Sequence, residues 1–154
     1  MKKYTIILLL IIPFITGCGT SEKMHEHCTR TATAGDDVDV KLEYDLYYKD
    51  DVLLKLESVE QITSKDEETL DTYESAYKNI HKNYEGLKYY DTSVNREKES
   101  VTSKIVIEYK KIDIDKLIEI EGEEDNIFEN KVPKASKWKE LAKKLGAKCE
   151  VVED

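Results

Sequence analysis

Val38-Asp39-Val40-Lys41-Leu42-Glu43-Tyr44-Asp45-Leu46-Tyr47-Tyr48 alternates apolar and polar side chains along most of its length. Successive strand side chains point to opposite faces, so a period of two marks a strand with one side buried and one in water. The Thr-rich stretch before it, over 28–34, reads as a second strand, with a turn at Gly35-Asp36-Asp37. After it, Lys49-Asp50-Asp51 reads as a hairpin turn and 52–62 as the returning strand. The apolar positions of that return slip from Leu54 and Leu56 to Val59, the mark of a bulge.

Helical periods follow. Ser64-Lys65-Asp66-Glu67 has the spacing of a capping box, with acids in the first turn. Beyond it Leu70, Tyr73, Tyr77, Ile80 and Tyr84 recur at intervals of three and four, one apolar stripe, until Asn83 to Gly86 ends the helix. Two more strands are expected over 87–94 and 101–109, a short helix near Asp113, and a second main helix over 133–145 with Trp138, Leu141 and Leu145 inward. Gly146 stops that helix, and a last strand runs over 147–152. The expected fold is α+β: an antiparallel β-sheet with two helices packed on one face.

The first residues follow a different logic. Lys2 and Lys3 precede an apolar run over 5–15, broken only by Pro13. That run is far short of the about 20 residues needed to span a bilayer, and it has the layout of a secretory signal. Its end, Ile15-Thr16-Gly17-Cys18, resembles the lipobox of bacterial lipoproteins: an aliphatic residue, two small ones, then cysteine. In that reading the Cys18 thiol takes a diacylglyceryl group, and small Gly17 lets a signal peptidase reach the bond between Gly17 and Cys18. The chain then divides into a signal at 1–17, a lipidated Cys18 with a short tether to residue 27, and one α+β domain at 28–154. Two acyl chains suffice for stable anchoring, so the expected location is the outer side of the cell membrane.

Composition agrees with a lipid anchor and argues against nucleic acid as a partner. The 154 residues fit one domain with a single core. Mean hydropathy is −0.60, 37% of residues are charged, and the formal net charge is −9. Such a surface repels nucleic-acid phosphate and anionic headgroups, so no nucleic acid is expected and attachment falls to the acyl chains. Cys28 and Cys149 remain after Cys18. Export takes them out of the reducing cytosol, and with no third competitor they are expected to pair; two free buried thiols are the alternative.

Several strings, namely Tyr48-Lys49-Asp50-Asp51-Val52-Leu53-Leu54-Lys55, Tyr77-Lys78-Asn79-Ile80 ahead of Gly86-Leu87, and Lys111-Ile112-Asp113-Ile114, together with the lipobox, resemble the YehR-like family of small bacterial lipoproteins. The resemblance covers nearly the whole chain. It implies an α+β fold and transfers no active site, since its motifs are structural. It also implies a glycine near Asp50, where this chain has none.

Three groups of residues carry possible chemistry. His25 and His27, two apart, share one side of a strand and with Cys28 offer imidazole and thiolate to a transition metal, though a disulfide removes the thiolate. Glu119, Glu121, Glu123, Glu124 and Asp125 offer carboxylates for calcium without the spacing of an EF-hand, which favours a solvated acidic loop. One member of each pair Tyr47-Tyr48 and Tyr89-Tyr90 must point outward, and Tyr47 with Tyr90 forms the candidate binding patch. No phosphate-cradling glycine loop and no Gly-x-Ser-x-Gly elbow exist, so neither a catalytic residue nor a cofactor is expected. The expected role is that of a non-enzymatic, membrane-anchored lipoprotein that binds an envelope protein or a small ligand. A metal or solute carrier using His25 and His27, and a hydrolase with its site hidden from sequence, are the alternatives.

Overall fold

The computed structural model describes residues 22–35, 37–122 and 127–153. The signal, Gly17, Cys18 and the acids at 123–125 lie outside the described residues. Strands β1 (Met24–Thr33), β2 (Val38–Lys49) and β3 (Val52–Ser64) lead into helix α1 (Glu67–Lys82), followed by β4 (Tyr90–Arg96) and β5 (Ser100–Ile107). Helix α2 (Ile114–Glu121), a two-residue hairpin of β6 (Phe128–Glu129) and β7 (Val132–Pro133), helix α3 (Ala135–Lys144) and β8 (Lys148–Val151) complete the chain. Six strands form one sheet in the order β4-β5-β3-β2-β1-β8, and every pairing in it is antiparallel. Strand β1 begins at Met24, inside the stretch expected to be tether.

The alternation in β2 divides the molecule. Leu42 and Leu46 are buried and Tyr44 packs on the core, whereas Asp39 and Lys41 are exposed to water. Three helices rather than two cover the apolar face. Helix α1 packs Leu70 and Tyr77 on Ile62 and Val101 at one end of the sheet. Helices α2 and α3 bring Leu117 and Ala135 onto Leu46, Leu56 and Ile107 at the other, with Trp138 and Leu141 alongside. The extra helix is α2, whose N-terminus is capped by the Asp113 carboxylate accepting from the Lys116 amide at 3.3 Å. Helix α1 starts from Asp66, not Ser64: the Asp66 carboxylate accepts from the Glu68 and Thr69 amides, while the Ser64 hydroxyl accepts from the Asp66 amide at 3.1 Å.

The inner stripe of α1 is also rotated from expectation. His81 is buried and shares a hydrogen bond with Ser103 at 3.1 Å, while Ile80 is 49% exposed. Burial holds the His81 pKa below its usual value, which keeps the ring neutral against the sheet. Tyr84, past the end of the helix, stacks flat on Tyr90 with centroids 4.1 Å apart and belongs to the other end of the core.

The β2–β3 turn explains the missing glycine. Lys49 pairs with Val52, so Asp50 and Asp51 are the two loop residues, with φ of 49° and 63°. Positive φ at both positions is the geometry whose twist suits a hairpin. The Asp51 carboxylate accepts from the Ser136 amide at 2.7 Å and from the Ser136 hydroxyl at 2.9 Å, and its carbonyl accepts from the Ala135 amide at 3.0 Å. Lys134, the N-cap residue of α3, supplies no side-chain cap. Asp51 therefore satisfies the open amides of a helix 85 residues away, worth about 1 kcal/mol as a cap. Glycine would relax the turn and lose the cap. The bulge lies beside this turn, where Tyr47 pairs with Lys55 and Tyr48 with Leu53, leaving Leu54 over. The slip lets Leu53 and Leu56 both reach the core.

Cys28 and Cys149 face each other directly across β1 and β8 and are disulfide-bonded, closing a separation of 121 residues. Strand β8 is short and on the edge, so the bridge holds it where four residue pairs alone would fray. Beside it, buried Glu26 accepts from the Tyr48 hydroxyl at 2.7 Å and from Lys139 at 3.1 Å, tying α3 to β1. A loop of this length predicts that reducing the bridge lowers the free energy of unfolding by about 3–5 kcal/mol. Urea unfolding with and without reductant measures this; an unchanged midpoint contradicts it.

A candidate ligand cavity between the sheet and two helices

Beside α3 and the end of α2 the cover over the sheet is incomplete, and a half-open cavity of about 380 Å³ lies there. Its floor is Tyr44 from β2, Leu56 and Ser58 from β3, and Ile105 and Ile107 from β5. Strand register places these side by side: Leu56 pairs with Ile107, Ser58 with Ile105 and Tyr44 with Ser58. Helix α3 forms one wall with Trp138, Leu141 and Leu145. Tyr90, Tyr109 and Ile127 line the rest, with Glu121 from the end of α2. Leu145, expected inward, is 54% exposed and lines the cavity only from its rim.

Aromatic geometry shapes this space. Tyr44 meets Trp138 edge to face at 4.7 Å, and Tyr109 meets Phe128 in the same manner at 6.3 Å. Burial pushes the hydroxyls of Tyr44, Tyr90 and Tyr109 above the ordinary phenol range, so they remain protonated donors. Among the described residues, Glu121 is the only charged side chain of the lining. The residue as a whole is exposed, yet its carboxyl end is turned in among the tyrosines, and burial there pushes its pKa up to about 7. The concave, half-open volume, the largely apolar walls and the few convergent polar groups resemble those of small-molecule sites.

The residues expected to act from sequence lie elsewhere. His25 and His27 stand on the outer face of β1, opposite the helices. His25 Nε2 is 2.8 Å and His27 Nδ1 3.0 Å from one oxygen of Asp45, the direct cross-strand partner of His27. Burial raises the Asp45 carboxyl, and the two histidine hydrogen bonds more than offset it, leaving its pKa below the usual value. Both rings are thus engaged by a carboxylate. Among the described residues, the His, Cys, Asp and Glu trio whose ligand atoms all lie within 4.8 Å of one another is Glu26, Cys28 and Cys149. The disulfide takes the thiolates from that trio.

Tyr47 lies on the same outer face, stacked on His25 at 4.4 Å with Lys55 over its ring at 5.3 Å. Tyr90 is a correction: it is buried, and its neighbour Tyr89 is the outward one, at a φ of 68°. Tyr47 and Tyr90 therefore form no common patch. Sequence reasoning named Glu121 only as a carboxylate of an acidic loop, and passed over Tyr44, Tyr109 and Trp138 as core. Each sits at an inward position of its own element; only the assembled gap between the helices shows that they enclose a space.

Glu121 also sets a pH dependence. Its proton is held more tightly in the folded state than at the ordinary 4.5, so the stability it contributes is full below that value and is lost as pH rises through about 7. Glu121→Gln removes this loss. Against the parent, the variant gains on the order of 1 kcal/mol between about pH 5 and pH 8, after allowance for solvent screening at a partly exposed position. Paired denaturant curves at the two pH values test it, and a constant difference between the proteins defeats it.

Comparison with protein-family models finds no match, and comparison with curated proteins finds none. Solved structures do share the architecture. A protein from Streptococcus pneumoniae, determined by NMR, is similar with a TM-score of 0.54 and 15% sequence identity over 97% of this chain and 98% of that one. The Escherichia coli YehR protein, also an NMR structure, is similar with a TM-score of 0.57 and 15% identity over 88% of this chain and 96% of that one. Identity this low speaks for the fold alone, and the fold of this chain is YehR-like.

Proposed function

We propose that this protein is an exported, lipid-anchored binding protein, held through Cys18 on the outer side of the cell membrane, whose domain takes a small ligand into the cavity under α3. The observation that carries the ligand reading is a half-open space of about 380 Å³ lined by Tyr44, Tyr90, Tyr109 and Trp138. A core packed to ordinary density leaves no such gap. An aryl group that buries about 150 Å² of apolar surface in it gains about 4 kcal/mol before the costs of association, enough for weak to moderate affinity. The address rests on the sequence: Lys2 and Lys3, the apolar run and the Ile15-Thr16-Gly17-Cys18 motif. Among the described residues, no helix is long and apolar enough to cross a membrane. Binding of a small ligand fits this geometry better than a metal carrier at His25 and His27, because among the described residues those two do not belong to a trio of ligand atoms that all lie within 4.8 Å of one another.

Two arms test the proposal. In cells, Cys18→Ala moves the protein out of the membrane fraction or leaves it unprocessed; unchanged mature, membrane-bound protein refutes the anchor. With the lipid-free domain, the neutral dye N-phenyl-1-naphthylamine brightens and saturates at one equivalent. Ala142→Phe, which fills the cavity from α3, abolishes that signal while leaving the folded spectrum intact. Dye binding that survives the filling substitution refutes the cavity.

A further inference from the structure

The formal charge on the cavity lining has one sign. Tyr44, Tyr90, Tyr109 and Trp138 supply aromatic rings to it, and an aromatic face carries the negative side of the ring quadrupole. Glu121 adds a carboxylate, and among the described residues no lysine, arginine or histidine lines the space to balance it. Burial raises its pKa. Aromatic faces around a carboxylate are the chemistry that holds an organic ammonium ion, by cation–π attraction and ion pairing in a desolvated site. The chain's formal charge of −9 favours the approach of such a ligand and disfavours anions.

We propose that the ligand of this cavity is an organic cation, with its ammonium group set against Glu121 and the tyrosines and its apolar body over Tyr44 and Trp138. The proposal rests on the cavity being the binding site and adds the class of ligand. A neutral body of the same size gains the apolar contacts and leaves Glu121 without a counter-charge. An anion of the same size is repelled.

Trp138 is the single tryptophan of the chain and lines the cavity, so its fluorescence reports occupancy directly. The lipid-free domain is titrated at a pH above 8 with 2-phenylethylammonium, with neutral 2-phenylethanol and with anionic 3-phenylpropionate. The ammonium ion is expected to bind at least tenfold more tightly than the alcohol, with the carboxylate weakest. Glu121→Gln lowers ammonium affinity about tenfold and leaves the alcohol unchanged, whereas Glu119→Gln, two residues back on α2 and outside the cavity lining, has no effect. Equal affinity for ammonium and alcohol, or an ammonium affinity indifferent to Glu121→Gln, overturns the proposal. Should the neutral dye and the alcohol bind without a preference for the ammonium ion, only the ligand class falls. Should none of them perturb Trp138, the cavity reading falls with it.

Discussion

Strand β2 is the constraint on which the structure depends. It pairs with β1 over ten residue pairs and with β3 over twelve, and a shift of one residue in either register would turn Leu42 and Leu46 into water. Because those leucines must face the helices, Asp39 and Lys41 must face out, and the same parity propagates through β1, β3 and β5. The bulge at Leu54 is the one place in the β2–β3 pairing where parity changes, and it does so to bring Leu53 inward near the turn. The helices are then placed by what the sheet exposes. Asp51 at the tip of the β2–β3 hairpin fixes the start of α3, and Glu26 on β1 holds Lys139 from its middle.

The cavity follows from how the cover is divided. Helix α1 is held at the end of the sheet marked by Ile62 and Val101, and α2 and α3 at the end marked by Leu46 and Ile107. Helices α2 and α3 do not fully cover the floor formed by Tyr44, Ser58 and Ile105. Tyr44 is held edge to face by Trp138, Tyr90 by its stack on Tyr84, and Tyr109 by Phe128. The residues of the disulfide, the Asp51 cap and the Asp45 pair are not among those that line the cavity.

Much of the fold was legible because it is written in local periods. The alternation in β2, the helical spacing from Leu70 to Tyr77 and the stop at Gly146 each express one element's own geometry. The pairing of Cys28 with Cys149 followed from compartment and arithmetic. What escaped required contacts between distant segments. Glu26 looked like the polar position of a tether, but Tyr48 and Lys139 satisfy it from 22 and 113 residues away, so the strand begins at Met24. His81 was passed over for Ile80 because hydrophobicity ranks isoleucine first, whereas Ser103 on β5 supplies the partner that lets histidine be buried. Tyr89 and Tyr90 present the same side chain, and only the positive φ of Tyr89 decides which turns in. The cavity was illegible for the same reason: a space belongs to no single element.

If β2 is the frame, its amides open only when the whole protein unfolds. Native-state hydrogen exchange followed by NMR tests that claim most directly. The account predicts the slowest exchange at the paired amides of β2 and β3 around Leu42, Leu46, Leu56 and Ile62, with opening free energies equal to the global value, and faster exchange in β4, β8 and α2. Amides of β2 that exchange as fast as those of the edge strands would contradict it.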